Sequence, residues 1–179
     1  MAEGSRRIDR VLDEDYLDRI GELPLAELRE LRAEAEQEAV DLSYLRRLVQ
    51  GRIDVIRAET ARRAGGETGA GLVDDLAKIL AGEERPPPRG MGRHSTVEPS
   101  RVDEHRRWVE ALVADVDLSD VAARTDAELD EALSRLATAE NDVNGKRRAV
   151  HEVLDSCTAE ITRRYRDGEA DVDDLLVRP

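Results

Sequence analysis

Phenylalanine is absent from this 179-residue chain, tryptophan occurs once and tyrosine three times, so aromatics make up only 2% of it. A core without large rings must come from Leu, Val, Ile and Ala. Such thin aliphatic stripes pack along a seam between helices better than inside a thick globule or a sheet, and the expected fold class is all-α. Cysteine also occurs once, which excludes an internal disulfide framework. Lysine is nearly missing, with Lys78 and Lys146 alone, so positive charge rests almost wholly on guanidinium groups. No apolar run is long enough to span a bilayer or serve as a secretory signal, so the expectation is a soluble, cytoplasmic protein without membrane contact. A balance of 28 basic to 41 acidic residues, net charge -13, lacks the basic field that direct nucleic-acid binding over a broad surface needs. It favours mimicry of nucleic acid or a basic partner instead.

What is present is an internal repeat. A shift of 101 residues lays Ala26-Glu27-Leu28 on Ala127-Glu128-Leu129, Leu17 on Leu118 and Ile20 on Val121. The match continues with Asp41 on Asp142, Leu42 on Val143, Arg46-Arg47 on Arg147-Arg148, Val49 on Val150, Asp54 on Asp155 and Ile56 on Cys157. Apolar and polar positions align together, as expected of a duplicated unit made of a short helix and a long one.

Punctuation bounds the long helices. The first starts around Pro24, whose fixed φ suits a first turn, and runs to the Gly65-Gly66 break. The second opens at Thr125 with Glu128 three residues on, a capping-box spacing. Leu28, Leu31, Ala35, Leu42, Leu45, Val49 and Ile56, and then Leu129, Leu133, Leu136, Val143, Val150, Cys157 and Ile161, recur at three, four and seven, the pattern of a coiled-coil seam. Each helix is acidic in front and basic behind, from Glu27–Asp41 to Arg46–Arg63 and from Asp126–Asp142 to Lys146–Arg166. Antiparallel pairing sets unlike charges beside each other and agrees with both macrodipoles. The implied organisation is a mobile N-terminus over 1–14, a short helix plus the first coiled-coil helix over 15–63, and a connector with short helices and a Pro/Gly-rich linker over 64–124. The second coiled-coil helix follows over 125–167, and a tail over 168–179. Within the connector, Leu72–Leu80 and Arg101–Val113 read as short helices, and Trp108 reads as packing against the long helices in preference to anchoring a partner.

Beside the seam runs a polar stripe. Ser43, Arg46, Gln50 and Asp54 are spaced three, four and four, which places them within about 80° of one helix face. On the second helix Asn144, Arg147, His151 and Asp155 take the equivalent places, with Glu140 four residues earlier. Arginine forks bind guanine O6 and N7, grip phosphate or stack on purines, and carboxylates accept from guanine N1–H and N2. The mixture suits a guanine dinucleotide with its own two-fold symmetry. The alternative reading is a structural or scaffolding coiled coil without a nucleotide, in which the stripe is a solvated flank.

At these residues the chain resembles the actinobacterial RsiG family of anti-sigma factors, over roughly residues 12 to 166. Its members carry E-x3-S-x2-R-x3-Q-x3-D on each of two coiled-coil helices. The first copy here reads Ala39, Ser43, Arg46, Gln50, Asp54, and the second reads Glu140, Asn144, Arg147, His151, Asp155. The resemblance implies that these residues, Ala39 excepted, bind cyclic di-GMP as a dimer. It further implies that the loaded protein sequesters a WhiG-type sigma factor and so represses its sporulation genes. Glu36 or Glu38 are the candidates to stand in for Ala39.

Enzymatic chemistry has little to work with. His94, His105 and His151 have no zinc-ligand spacing with Cys157, and His151 with Asp155 one turn on lacks a nucleophile or oxyanion arrangement. Neither catalysis nor a metal is expected, and Cys157 falls at a seam position.

Overall fold

The computed structural model describes residues 7–13, 18–65, 98–112, 114 and 118–170. The expected helix over 72–80 and the linker up to 97 lie outside them. The described elements are all helical: α1 (Arg7–Val11), α2 (Leu25–Gly65), α3 (Val102–Leu112), a 3-10 helix (Leu118–Ala123) and α4 (Asp126–Arg166).

The ends of the two long helices follow from local chemistry. α2 begins directly after Pro24, whose carbonyl accepts from Leu28 N at 3.0 Å. α4 begins after Thr125, and the capping box is closed both ways. Thr125 N donates to Glu128 Oε2 at 2.8 Å, and Glu128 N donates to Thr125 Oγ1 at 3.3 Å. The bonds that the Glu128 carboxylate accepts from the Thr125 amide and hydroxyl hold it below its ordinary pKa. α4 ends in a Schellman motif: Gly168 takes φ 73°, and the amides of Gly168 and Glu169 return to the carbonyls of Tyr165 and Arg164. The expected tail therefore starts with the cap of the helix.

Contacts divide the chain into two units, residues 1–42 with 145–179 and residues 43–144, and each contains a piece of α2 and a piece of α4. In the first unit Leu28, Leu31, Ala35, Ala39 and Leu42 are buried from α2, and Val150, Val153 and Cys157 from α4. In the second, Leu45, Val49, Ile53 and Ile56 are buried from α2, and Leu129, Ala132, Leu136, Ala139 and Val143 from α4. Positions 28, 35, 42, 49 and 56, and their repeat partners 129, 136, 143, 150 and 157, form unbroken heptad rows, each at most 3% exposed. Burying a Leu or Val side chain stabilises by roughly 1.5–3 kcal/mol, so these rows supply the fold's main driving force. Leu133 and Ile161, also expected in the seam, are half-buried. Burial raises the pKa of the Cys157 thiol, as befits a small hydrophobe.

The pairing is antiparallel within each unit on its own contacts. In the first, Arg29 bonds the Tyr165 hydroxyl, with its guanidinium 5.9 Å from that ring's centroid, and Arg32 Nε donates to Thr158 Oγ1 at 3.2 Å. In the second, Gln50 meets Glu140 and Arg63 meets Asp126. In both, rising numbers on α2 meet falling numbers on α4.

One device recurs in both units, of which only the charges show in the sequence. In the second unit Glu59 is fully buried and accepts from Arg62 and Arg63 at 2.7–2.8 Å. Arg63 also reaches the carbonyls of Val121 and Ala122 at 3.2 Å. In the first unit Glu160 accepts from Arg163 and Arg164 at 2.7–2.9 Å, and buried Arg164 reaches the carbonyls of Ile20, Gly21 and Leu23 at 2.6–3.3 Å. Every equivalent pair is 101 residues apart. The guanidinium pairs hold both carboxyls at a pKa of about 2, through hydrogen bonds first and charge second. Each clasp fastens the basic end of a long helix to the turn that precedes the other.

The N-terminus departs from expectation. Residues 7–11 form α1, Val11 is fully buried, Arg7 pairs with Glu38 at 2.8 Å and with Asp41, and Arg10 pairs with Glu34 at 2.6 Å. Glu38 and Asp41 belong by sequence to the acidic front of the helix, yet both are fully buried. Burying them requires a cation, and α1 brings it.

Candidate functional site

The stripe residues divide between the units. Ser43, Arg46, Gln50, Asp54, Glu140 and Asn144 belong to the second, and Arg147, His151 and Asp155 to the first. Each unit therefore contains one arginine–aspartate row, a candidate half-site. No partner on another element is needed to hold either row in line, because 3.6 residues per turn stack these spacings beside the buried heptad.

In the second unit the two helices meet at the stripe itself: Gln50 Nε2 donates to Glu140 Oε1 at 2.8 Å. Both residues are half-buried, as are Ser43, Arg46, Asp54 and Asn144. The bond leaves the second Glu140 oxygen as an acceptor and fixes the carboxylate's direction. In the first unit Arg147 is half-buried, while His151 and Asp155 are exposed.

The engagement of the described arginines is uneven. Arg7, Arg10, Arg29, Arg32, Arg62, Arg63, Arg163 and Arg164 all make side-chain hydrogen bonds or ion pairs. Arg46 and Arg147, both half-buried, make none among the described residues, as do half-buried Arg52 and exposed Arg47, Arg57, Arg106 and Arg148, and Asp54 and Asp155 likewise make none. The Nε of Arg147 is buried without a hydrogen-bond partner. A buried guanidinium N–H without an acceptor costs on the order of 1–3 kcal/mol, a cost that a ligand oxygen would relieve. The donor set thus fits an anionic ligand with hydrogen-bonding edges: guanidinium for phosphate or guanine O6 and N7, carboxylates for amino and imino protons.

The two candidates to replace Ala39 differ. Glu38 is engaged by Arg7 in the buried cluster and does not reach the stripe as a free acceptor. Glu36 is half-buried and lies on the stripe's face, one turn before Ala39. Ala39 itself is a buried seam residue, 8% exposed.

Around the second unit's stripe, Tyr44 lies 6.4 Å from His105 of α3, ring centre to ring centre. His105 and Val109 take the inward face of α3, and Trp108 is left 37% exposed, contrary to the expectation that it packs. Among the described residues no helix is long and apolar enough to cross a membrane.

Comparison with known proteins adds the family. A search of curated proteins finds no match to the chain. The RsiG-like family matches residues 14–80 and 115–178, most of the chain. The two matched stretches begin 101 residues apart, the offset of the repeat, and between them they contain every stripe residue. With an all-helical build, antiparallel pairing in both units and the duplicated stripe, this places the chain in the RsiG-like family, a family of anti-sigma factors.

Proposed function

We propose that this protein binds cyclic di-GMP on its two arginine–aspartate rows and, when loaded, sequesters a WhiG-type sigma factor, holding back its developmental genes. The observation that carries the reading is the buried, unpartnered Nε of Arg147 on a row that repeats on the other long helix. The half-buried Arg46 and Arg147 have no partner among the described residues, and the Nε of Arg147 is buried without an acceptor. Ser43, Arg46, Gln50, Asp54, Glu140 and Asn144 would serve one nucleotide, and Arg147, His151 and Asp155 a second. The guanidiniums would hold phosphate or the Hoogsteen edge, and the carboxylates the base's imino and amino protons.

The nucleotide favours the sigma complex only to the extent that it binds that complex better than the free protein. A net charge of -13 suits the basic DNA-binding surface of a sigma factor, and Trp108 offers an aromatic anchor for it. A scaffolding coiled coil would account for the seam but not for the orphaned Arg147 Nε. In calorimetry, cyclic di-GMP is expected to bind the native chain and to lose roughly 100-fold or more in affinity with Arg46→Ala or Arg147→Ala. Unchanged binding overturns the site. Capture of a WhiG-type sigma factor is expected to depend on added nucleotide, and capture without it overturns the regulatory half of the reading.

A further inference from the structure

Resting on the cyclic di-GMP reading, we infer that the two half-sites are unequal, with Glu140 as the residue that makes the second unit's half-site the tighter and more base-selective one. The repeat places Ala39 against Glu140 and Gln50 against His151. In the second unit Gln50 and Glu140 face each other across the helices at 2.8 Å. In the first unit Arg32 faces Thr158 at 3.2 Å. Two turns further along α2 lies Ala39, and two turns back along α4 lies His151, so antiparallel pairing brings these two to one level. The same position of the repeat is therefore a carboxylate–amide pair in one unit and an alanine–histidine pair in the other.

Both members of the pair differ, and the chemistry explains why they differ together. Alanine opposite a glutamine would leave the amide without its acceptor, and histidine opposite a glutamate would leave the acid without its amide. The combination present avoids both, since Ala39 buries no polar group and His151 is exposed to water. It also removes the carboxylate that would accept from guanine N1–H and N2 at this level. Among the described residues no neighbour restores it there. Glu38 is held by Arg7 in a buried cluster, and Glu36 stands one turn away, at the level of Leu154 and Asp155 by the Arg32–Thr158 register. The first unit's half-site keeps the anion-holding Arg147, whose Nε is orphaned, together with Asp155. The second unit's half-site has Arg46, Asp54 and the oriented Glu140.

The test is calorimetric titration of the full chain with cyclic di-GMP, beside two double variants whose folding is checked by circular dichroism. The native chain is expected to show two steps whose dissociation constants differ by about tenfold or more, the worth of one charge-assisted hydrogen bond. Ala39→Glu with His151→Gln is expected to strengthen the weaker step and bring the two together. Because position 39 is buried, that variant could fail to fold, so the reverse exchange is decisive. Gln50→His with Glu140→Ala imposes the first unit's pattern on half-buried positions and is expected to weaken the tighter step to match the other. A native isotherm of equal sites, or a reverse exchange that leaves the steps as they were, overturns the inequality while leaving cyclic di-GMP as the ligand. Loss of the weaker step in Glu36→Ala also overturns it, because Glu36 would then be the missing acceptor. No binding by the native chain or by either variant overturns the ligand reading itself.

Discussion

The two copies of the repeat agree at their helix ends and disagree in their middles. Glu59-Thr-Ala-Arg-Arg63 and Glu160-Ile-Thr-Arg-Arg164 build the same clasp, down to arginine Nε at 2.7 Å from the equivalent carboxylate oxygen and forks on equivalent carbonyls. At the stripe, by contrast, one copy has Glu140 where the other has Ala39. The difference teaches what each region answers to. A clasp joins a buried carboxylate, two guanidiniums and backbone carbonyls, and removing any member strands the rest in a place with little water. A stripe residue answers to solvent or to a ligand, so one copy of it can change without unfolding the chain.

The comparison is tested most severely by breaking the clasps one at a time. Arg164→Ala is expected to cost about 3 kcal/mol, since Arg164 is buried and serves Glu160 and three carbonyls. Arg63→Ala, at a half-buried site, should cost about 2 kcal/mol. Thermal or urea unfolding orders the two, and a larger loss from Arg63 would reverse the ranking of the clasps.

Acid titration sharpens the same point. Glu59 and Glu160 both have pKa values of about 2 in the folded chain against an ordinary 4.5, so their stabilisation is complete above pH 4.5 and is lost as pH falls towards 2. Stability followed from pH 5 to pH 2 should therefore decline, and Glu59→Gln should flatten that decline. An unaltered slope would mean that other carboxylates govern it.

The helix starts differ as well, Pro24 in one copy and the Thr125 capping box at the equivalent place in the other. Thr125→Ala is expected to cost about 1 kcal/mol, the smallest of these effects, and hydrogen exchange should report fraying confined to the first turn of α4.

How much of this was legible varies with the range of the interaction. The heptad rows, the capping box and the antiparallel sense could be read because each depends on spacing along one helix or on the summed charge of its halves. The Glu59 and Glu160 clasps left a signal, an identical Glu-x-x-Arg-Arg at the repeat's offset, but by charge alone it is only part of a basic helix end. The burial of Glu38 and Asp41 left none. Only the docking of α1, which brings Arg7 across from more than 30 residues away, distinguishes them from the exposed acids around them. The candidate site was legible as a row but not in its engagement, because which arginines find partners depends on side chains from other elements.

By itself the sequence determined the helices, their seam, their direction and the duplicated row, because periodicity, capping and macrodipole act within a few turns of chain. Tertiary structure alone decided which charges are buried, which are paired and which are left open. Those outcomes turn on desolvation and on contacts between residues far apart in the chain, where one Arg7 or one Arg164 settles the state of a carboxylate that its own neighbours do not.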